Sequence, residues 1–277
     1  MMRNLVHYCL QILGLLFHFS ISEPLRGANV IAVKEGEFPF AAAMIKKTDS
    51  SNAEQEEICT GVLISARHVL TAAHCFEELQ PNDTQVVLGS VDLTIGTRYN
   101  VSKWITYDEW EEIEGVRNSS HEKDVAIIVL SENVDKKIAK PAELSKKTRP
   151  KICLRNLTVL GWGQTNPDSN ERPRYLHKAS LTVLTSERCE QIVSGLMNET
   201  ITLEDSLFCT KVEPFTGLVC GDSGGPILTE KRKVVGINIG ICPKQKYLLP
   251  HQINDVVNIH ANVAYYKTFI KKVLEKF

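Results

Sequence analysis

Two short segments of this 277-residue chain hold residues that could do chemistry together: TAAHC at Thr71 to Cys75 and CGDSGGP at Cys220 to Pro226. A serine hydroxyl is a poor nucleophile at neutral pH unless a base removes its proton. A histidine serving as that base needs a partner to hold one tautomer. Ser223 and His74 supply the first two groups, and the third should be an acid that stays ionised although buried. Asp124, at the start of the apolar run DVAIIVL (Asp124 to Leu130), is the choice, while Asp108 and the acidic stretch as far as Glu114 offer competing carboxylates. The glycines around Ser223 suit an ordinary turn, because glycine tolerates positive φ. They equally suit a tight loop whose backbone N–H groups converge on a developing oxyanion, with Gly221 and Ser223 as donors.

Positioning these groups falls to short runs of β-branched and aliphatic residues separated by turn signals. Ile58 to Leu70, Thr84 to Leu93 and Lys233 to Gly240 are examples, and the pattern is all-β. A helix is legible at the C-terminus. There Val263, Tyr266, Ile270, Val273, Leu274 and Phe277 recur at spacings of three and four, with lysines on the opposite face. A formal net charge of −1 argues against nucleic acid as a partner. The first 22 residues combine Arg3, an apolar stretch from Leu5 to Phe19 and small residues at Ser20 and Ser22, which reads as a secretory signal peptide. No later segment approaches the roughly 18 apolar residues of a membrane span, so a secreted, soluble chain is expected. Acceptor sequons stand at Asn82, Asn100, Asn118, Asn156 and Asn198.

The chain order His74, Asp124, Ser223 joins TAAHC, DVAIIVL, GWG at Gly161 to Gly163 and GDSGGP into a pattern that resembles the trypsin/chymotrypsin family from about Gly27 to the end. The resemblance implies an all-β fold of two six-stranded antiparallel β-barrels with a C-terminal α-helix. The first barrel would span about 27–140, the second about 141–262 and the helix 263–277. The active site would lie in the crevice between the barrels, and no cofactor, metal or calcium loop is implied. It also implies three disulfides: Cys59 with Cys75, Cys189 with Cys209, and Cys220 with Cys242. Of the eight cysteines, Cys9 leaves with the signal peptide and Cys153 is left over. A buried free thiol in the apolar patch Ile152 to Leu154 is the favoured state for Cys153, with an intermolecular bridge or an unusual pairing as the alternatives.

The same resemblance implies a zymogen. Residues 23–26, EPLR, would be a propeptide cut after Arg26 by a trypsin-like activator, and the new Gly27 ammonium would pair with Asp222. The terminus reads GANV where relatives read IVGG, so it lacks the roughly 1.5 to 3 kcal/mol that burying an Ile side chain contributes. The base of the substrate pocket falls at Gly217, or at Leu218 when counted from Cys220, which directly precedes Gly221. Gly240 is the open wall position, Asn258 replaces a common glycine, and Asn238 and His260 stand for a Ser and a Tyr of the family. A neutral base predicts cleavage after apolar residues. The reading is therefore a secreted serine endopeptidase acting on protein or peptide substrates and open to proteinaceous inhibitors. The rivals are a catalytically weak homologue that binds or regulates a partner, and a hydrolase acting on esters.

Overall fold

The computed structural model describes residues 26–27, 29–47, 57–77, 79–116, 123–163, 174–211, 216–218, 221–242 and 257–277. Among them, six strands close a first barrel: β1 (Ala41–Lys46), β2 (Glu57–Leu63), β3 (His68–Thr71), β4 (Thr84–Leu88), β5 (Thr97–Thr106) and β6 (Ala126–Leu130), in the order β1-β2-β3-β6-β5-β4. A second set comprises β7 (Asn156–Gly161), β8 (His177–Val183), β9 (Leu207–Lys211), β10 (Pro226–Leu228), β11 (Val234–Cys242) and β12 (Val257–Asn262). It runs β7-β8-β9-β12-β11-β10 and closes through the β10–β7 pairing. The two barrels thus repeat one antiparallel strand order. Closure removes the free edges that short strands would otherwise expose.

The burial pattern explains the strands. Along β5, Tyr99 and Val101 are buried while Asn100 and Ser102 face out, the period-2 alternation of a half-solvated strand, which a register shift between Val101 and Lys103 then interrupts. All five residues of β6 are buried, since that strand is covered on both faces. One continuous apolar core joins the first barrel to Leu160, Trp162, Leu228, Ile237 and the C-terminal helix. The second barrel keeps its own interior around Leu157, Val159, Leu181, Phe208 and Ile227.

Three helices longer than a turn are described: α1 (Tyr107–Glu114), α2 (Ser186–Met197) and α3 (Lys267–Lys276). Helix α1 starts with a capping box between Thr106 and Glu109 and stops at Gly115, which sits at φ +64. Its Tyr107 and Trp110 rings pack on Phe269 of α3 at 5.4 and 5.6 Å between centroids. Helix α3 begins at Lys267 and not at Val263, because the Asn262 side chain accepts the Ala264 N–H and holds that stretch as a turn. Ile31–Ala32, assigned in sequence to the start of the first barrel, lies on the second, paired with Lys178 and His177 on β8, while Arg26–Gly27 forms a separate two-stranded sheet with Gly217 and Thr216. The Ile31–Ala32 pairing extends the β8 ladder at a strand edge, where backbone pairing outweighs proximity in sequence. Among the described residues, no helix is long and apolar enough to cross a membrane. The signal segment and Asn118 lie outside the described residues.

Candidate active site

His74 sits in a one-turn 3-10 helix (Ala73–Phe76) directly after β3, and Asp124 sits two residues before β6, the strand paired with β3. That pairing sets the two side chains face to face. Asp124 Oδ2 lies 2.7 Å from His74 Nδ1, and Asp124 Oδ1 accepts the His74 backbone N–H at 2.9 Å. The carboxylate therefore grips both the ring and the main chain of the same residue, so His74 carries its proton on Nδ1 and presents Nε2 for exchange. The His74 and Asp124 side chains are 36% and 28% exposed, open enough for a substrate to reach. Asp108, the competing carboxylate, accepts the Lys123 backbone N–H at 3.1 Å and so steadies the residue next to Asp124. Lys123, 6% exposed in its side chain, reaches across to Glu204 of the second barrel.

Ser223 arrives from the other barrel, on the turn that leads into β10. Thr60 of β2 ties this turn to the His74 side. Its N–H donates to Ser223 O at 2.9 Å, and its hydroxyl donates to Gly221 O at 2.8 Å and accepts the Trp162 N–H at 3.3 Å. The Thr71 hydroxyl, three residues before His74, donates to Thr60 O at 2.9 Å. The approach is close enough that only glycine fits at 224: an added Cβ would meet Thr71 Oγ1 at 1.9 Å, and φ is +75. Asp222 is fully buried, accepting the Gly163 N–H at 2.9 Å. A Cβ on Gly161 would strike its carboxylate at 2.0 Å, which accounts for the glycines of the GWG segment. Among the described residues, neither the Gly221 N–H nor the Ser223 N–H meets an acceptor.

The residues expected around a pocket fall on adjacent chain segments. Gly217 pairs with Arg26, the Leu218 N–H donates to Asn258 Oδ1 at 3.0 Å, and Gly240, at φ +150, opens onto empty space. Leu218 is buried in the second-barrel core, and Asn238 turns inward toward Asp222 O and His260, away from Asp124. Cys59–Cys75 and Cys189–Cys209 are bridged. Cys242 carries a free thiol whose pKa burial pushes up, in place of the expected Cys220–Cys242 bridge; Cys220 itself lies outside the described residues. With Cys220 joined directly to Gly221, no spacer separates that cysteine from the constrained Ser223 turn. Cys153 is also free and half-exposed. Asn82, Asn100, Asn156 and Asn198 are all exposed. Ligand atoms of Cys59, His74 and Cys75 lie within 4.8 Å of one another, but both sulfurs are spent in the bridge and Nδ1 faces Asp124, so the group does not suit a metal.

Thr60, Asp108, Lys123 and the buried pair Asn238–His260 escaped the sequence reading as supports of this site. Their partners are 11 to 161 residues away in sequence, and no local pattern marks such bonds. Thr60 does follow Cys59 directly, the one hint that it lies near the His74 loop.

Known proteins agree with this architecture. The sequence model of the family described as Trypsin matches residues 29–270. Seminase of Drosophila melanogaster is 29% identical over 219 residues, covering 78% of this chain and 72% of that protein. A venom serine protease of Polistes dominula is 30% identical over 219 residues, covering 74% and 70%. Among solved structures, the Vibrio cholerae VesB protease superposes with a TM-score of 0.66 at 24% identity, covering 90% of this chain and 68% of that one.

Proposed function

The chain belongs to the trypsin family, and on that premise we propose that it is a secreted serine endopeptidase working through an acyl-enzyme. Ser223 Oγ attacks the scissile carbonyl carbon while His74 Nε2 takes its proton. The N–H groups of Gly221 and Ser223 hold the oxygen as it becomes negative, and His74 then returns the proton to the departing amine. Water, deprotonated by the same nitrogen, releases the acyl group and restores the serine. Asp124 orients His74 and stabilises the imidazolium that forms in between. The pair of hydrogen bonds that Asp124 accepts from His74 carries this reading, because a carboxylate holding both ring and backbone of one histidine has a direct use in orienting a base. The Gly221 and Ser223 N–H groups, which meet no acceptor among the described residues, support it.

Cleavage after Arg26 by a trypsin-like protease would free Gly27 to reach Asp222. The neutral residues Gly217 and Leu218 favour apolar side chains in the substrate. Trypsin treatment followed by N-terminal sequencing and labelling with an organophosphonate tests both steps. The expected result is a new Gly27 terminus with phosphonate on Ser223, and a peptide library cut after apolar residues. Cleavage at Arg26 without labelling would favour the rival reading of a non-catalytic homologue, to which the side-chain-less Gly27 terminus already lends weight. Strong cutting after arginine would refute the pocket assignment.

A further inference from the structure

Asn238 is fully buried on β11 and binds the Ser223 turn three times. Its N–H donates to Gly225 O at 2.9 Å, its carbonyl accepts from the Gly224 N–H at 2.7 Å, and its Nδ2 donates to Asp222 O at 3.0 Å. A peptide carbonyl can only accept, so the amide orientation is settled and Oδ1 must face His260. His260 Nδ1, 3.0 Å from that oxygen, therefore carries the ring proton. Nε2 is left bare to accept from the Thr210 hydroxyl at 2.7 Å. Thr210, His260 and Asn238 stand on the adjacent strands β9, β12 and β11, and all three are 0% exposed. Burial drives the His260 pKa down to about 3, so the ring stays neutral and every polar atom of the relay is satisfied.

We propose that the Thr210–His260–Asn238 relay positions the oxyanion-binding peptide of this site, a role that rests on reading Ser223 as the nucleophile. The link is the planarity of the peptide bond: the Asp222 carbonyl and the Ser223 N–H belong to one trans unit and point in opposite directions. Fixing one fixes the other. Asp222 O is held twice, by the Gly225 N–H at 3.0 Å and by Asn238 Nδ2, whereas the Ser223 N–H on the far side meets no acceptor among the described residues. Asn238 thus aims a donor it does not touch. Preorganisation of that kind matters because a donor that must reorient during the reaction contributes less to stabilising the developing charge.

The test uses the Arg26-cleaved protein and its Asn238→Asp variant, which keeps the shape but removes the donor to Asp222 O. The variant is expected to lose kcat by about 10 to 100-fold, less than the roughly 10² to 10³-fold lost when an oxyanion donor is removed outright. KM should change little, and affinity for a peptidyl trifluoromethyl ketone, whose adduct bears an oxyanion, should fall by the same factor as kcat. Thr210→Val, a milder lesion, should show the same split at smaller size and serves if Asn238→Asp does not fold. His260→Gln, which retains a donor for Asn238 Oδ1, should lose less of the rate than Asn238→Asp. Unchanged kcat and ketone affinity in a folded variant overturn the proposal. An unmodified protein that neither hydrolyses peptides nor takes up phosphonate would instead sink the protease reading. The relay is then decided by long-range ¹H–¹⁵N spectra: His260 must remain the Nδ1–H tautomer from pH 8 to about 4, and Thr210→Val must shift the Ser223 amide. A titrating ring or the Nε2–H tautomer overturns it.

Discussion

Replacing Thr60 by valine keeps the shape of the side chain and removes one oxygen, and the structure says what that oxygen holds. Gly221 O loses its 2.8 Å donor and the Trp162 N–H loses its 3.3 Å acceptor, both where Thr60 is 0% exposed and water cannot substitute. An orphaned buried group costs about 1 to 3 kcal/mol. The longer Trp162 bond belongs at the low end, so Thr60→Val should destabilise the protein by about 2 to 4 kcal/mol. At about 2 to 4 °C per kcal/mol for a chain of this size, the thermal midpoint should fall roughly 5 to 15 °C. Turnover should fall as well, because the released Gly221 carbonyl adjoins the oxyanion loop. Thr60→Ser is the control, losing only a buried methyl, about 1 kcal/mol, and keeping both bonds. Urea melts with unchanged m-values, alongside hydrolysis of a peptide anilide, measure both effects. Thr60→Val within 0.5 kcal/mol of Thr60→Ser would refute the idea that this hydroxyl couples the barrels.

Other outcomes follow from the same contacts. Asp124→Asn should leave the fold intact and lower kcat about 10⁴-fold, since the amide favours the wrong His74 tautomer; a loss below tenfold in steady-state assays would remove Asp124 from the mechanism. Glu204→Gln should destabilise the protein more than Lys123→Met, because it strands a Lys123 side chain that is only 6% exposed whereas the Glu204 side chain is 37% exposed; denaturant midpoints in the reverse order would contradict the inter-barrel tie. On acidification, His260 is protonated in the unfolded chain near its ordinary pKa of 6.5 but only at about 3 when folded. Its drag on stability is therefore absent above that range and grows by up to about 1.4 kcal/mol per pH unit as pH falls from about 6 toward 3. His68, lowered by burial and by Arg67, acts in the same direction. His260→Gln should be less stable at pH 7 yet show a shallower acid limb in thermal melts, and an unchanged slope would count against a neutral buried ring.

Much of the site was legible in one dimension because its chemistry is carried by contiguous motifs. TAAHC, DVAIIVL and CGDSGGP each keep a candidate catalytic residue beside the residues that shape its turn, and alternating apolar patterns announced the strands. Less legible were the places where two distant segments compete for the same backbone. Ile31–Ala32 joined β8 of the second barrel, since an open strand edge accepts any segment that can reach it. Asp108 was a rival acid until its carboxylate was found on the Lys123 N–H. Cys242 looked like one half of a bridge and carries a free thiol.

The residue types and their order marked the family through local motifs, singled out His74, Asp124 and Ser223 as the candidate trio, and showed an all-β chain through periodicity along single strands; the two-barrel fold came with the family resemblance. Only the folded chain decided how the trio is held. Thr60 links the barrels across 161 residues, Asp222 fills the space left by Gly161 and Gly163, and a neutral His260 braces the turn through Asn238. Hydrogen bonds of this kind depend on where strands meet in register, a property of closed barrels that no stretch of sequence contains by itself.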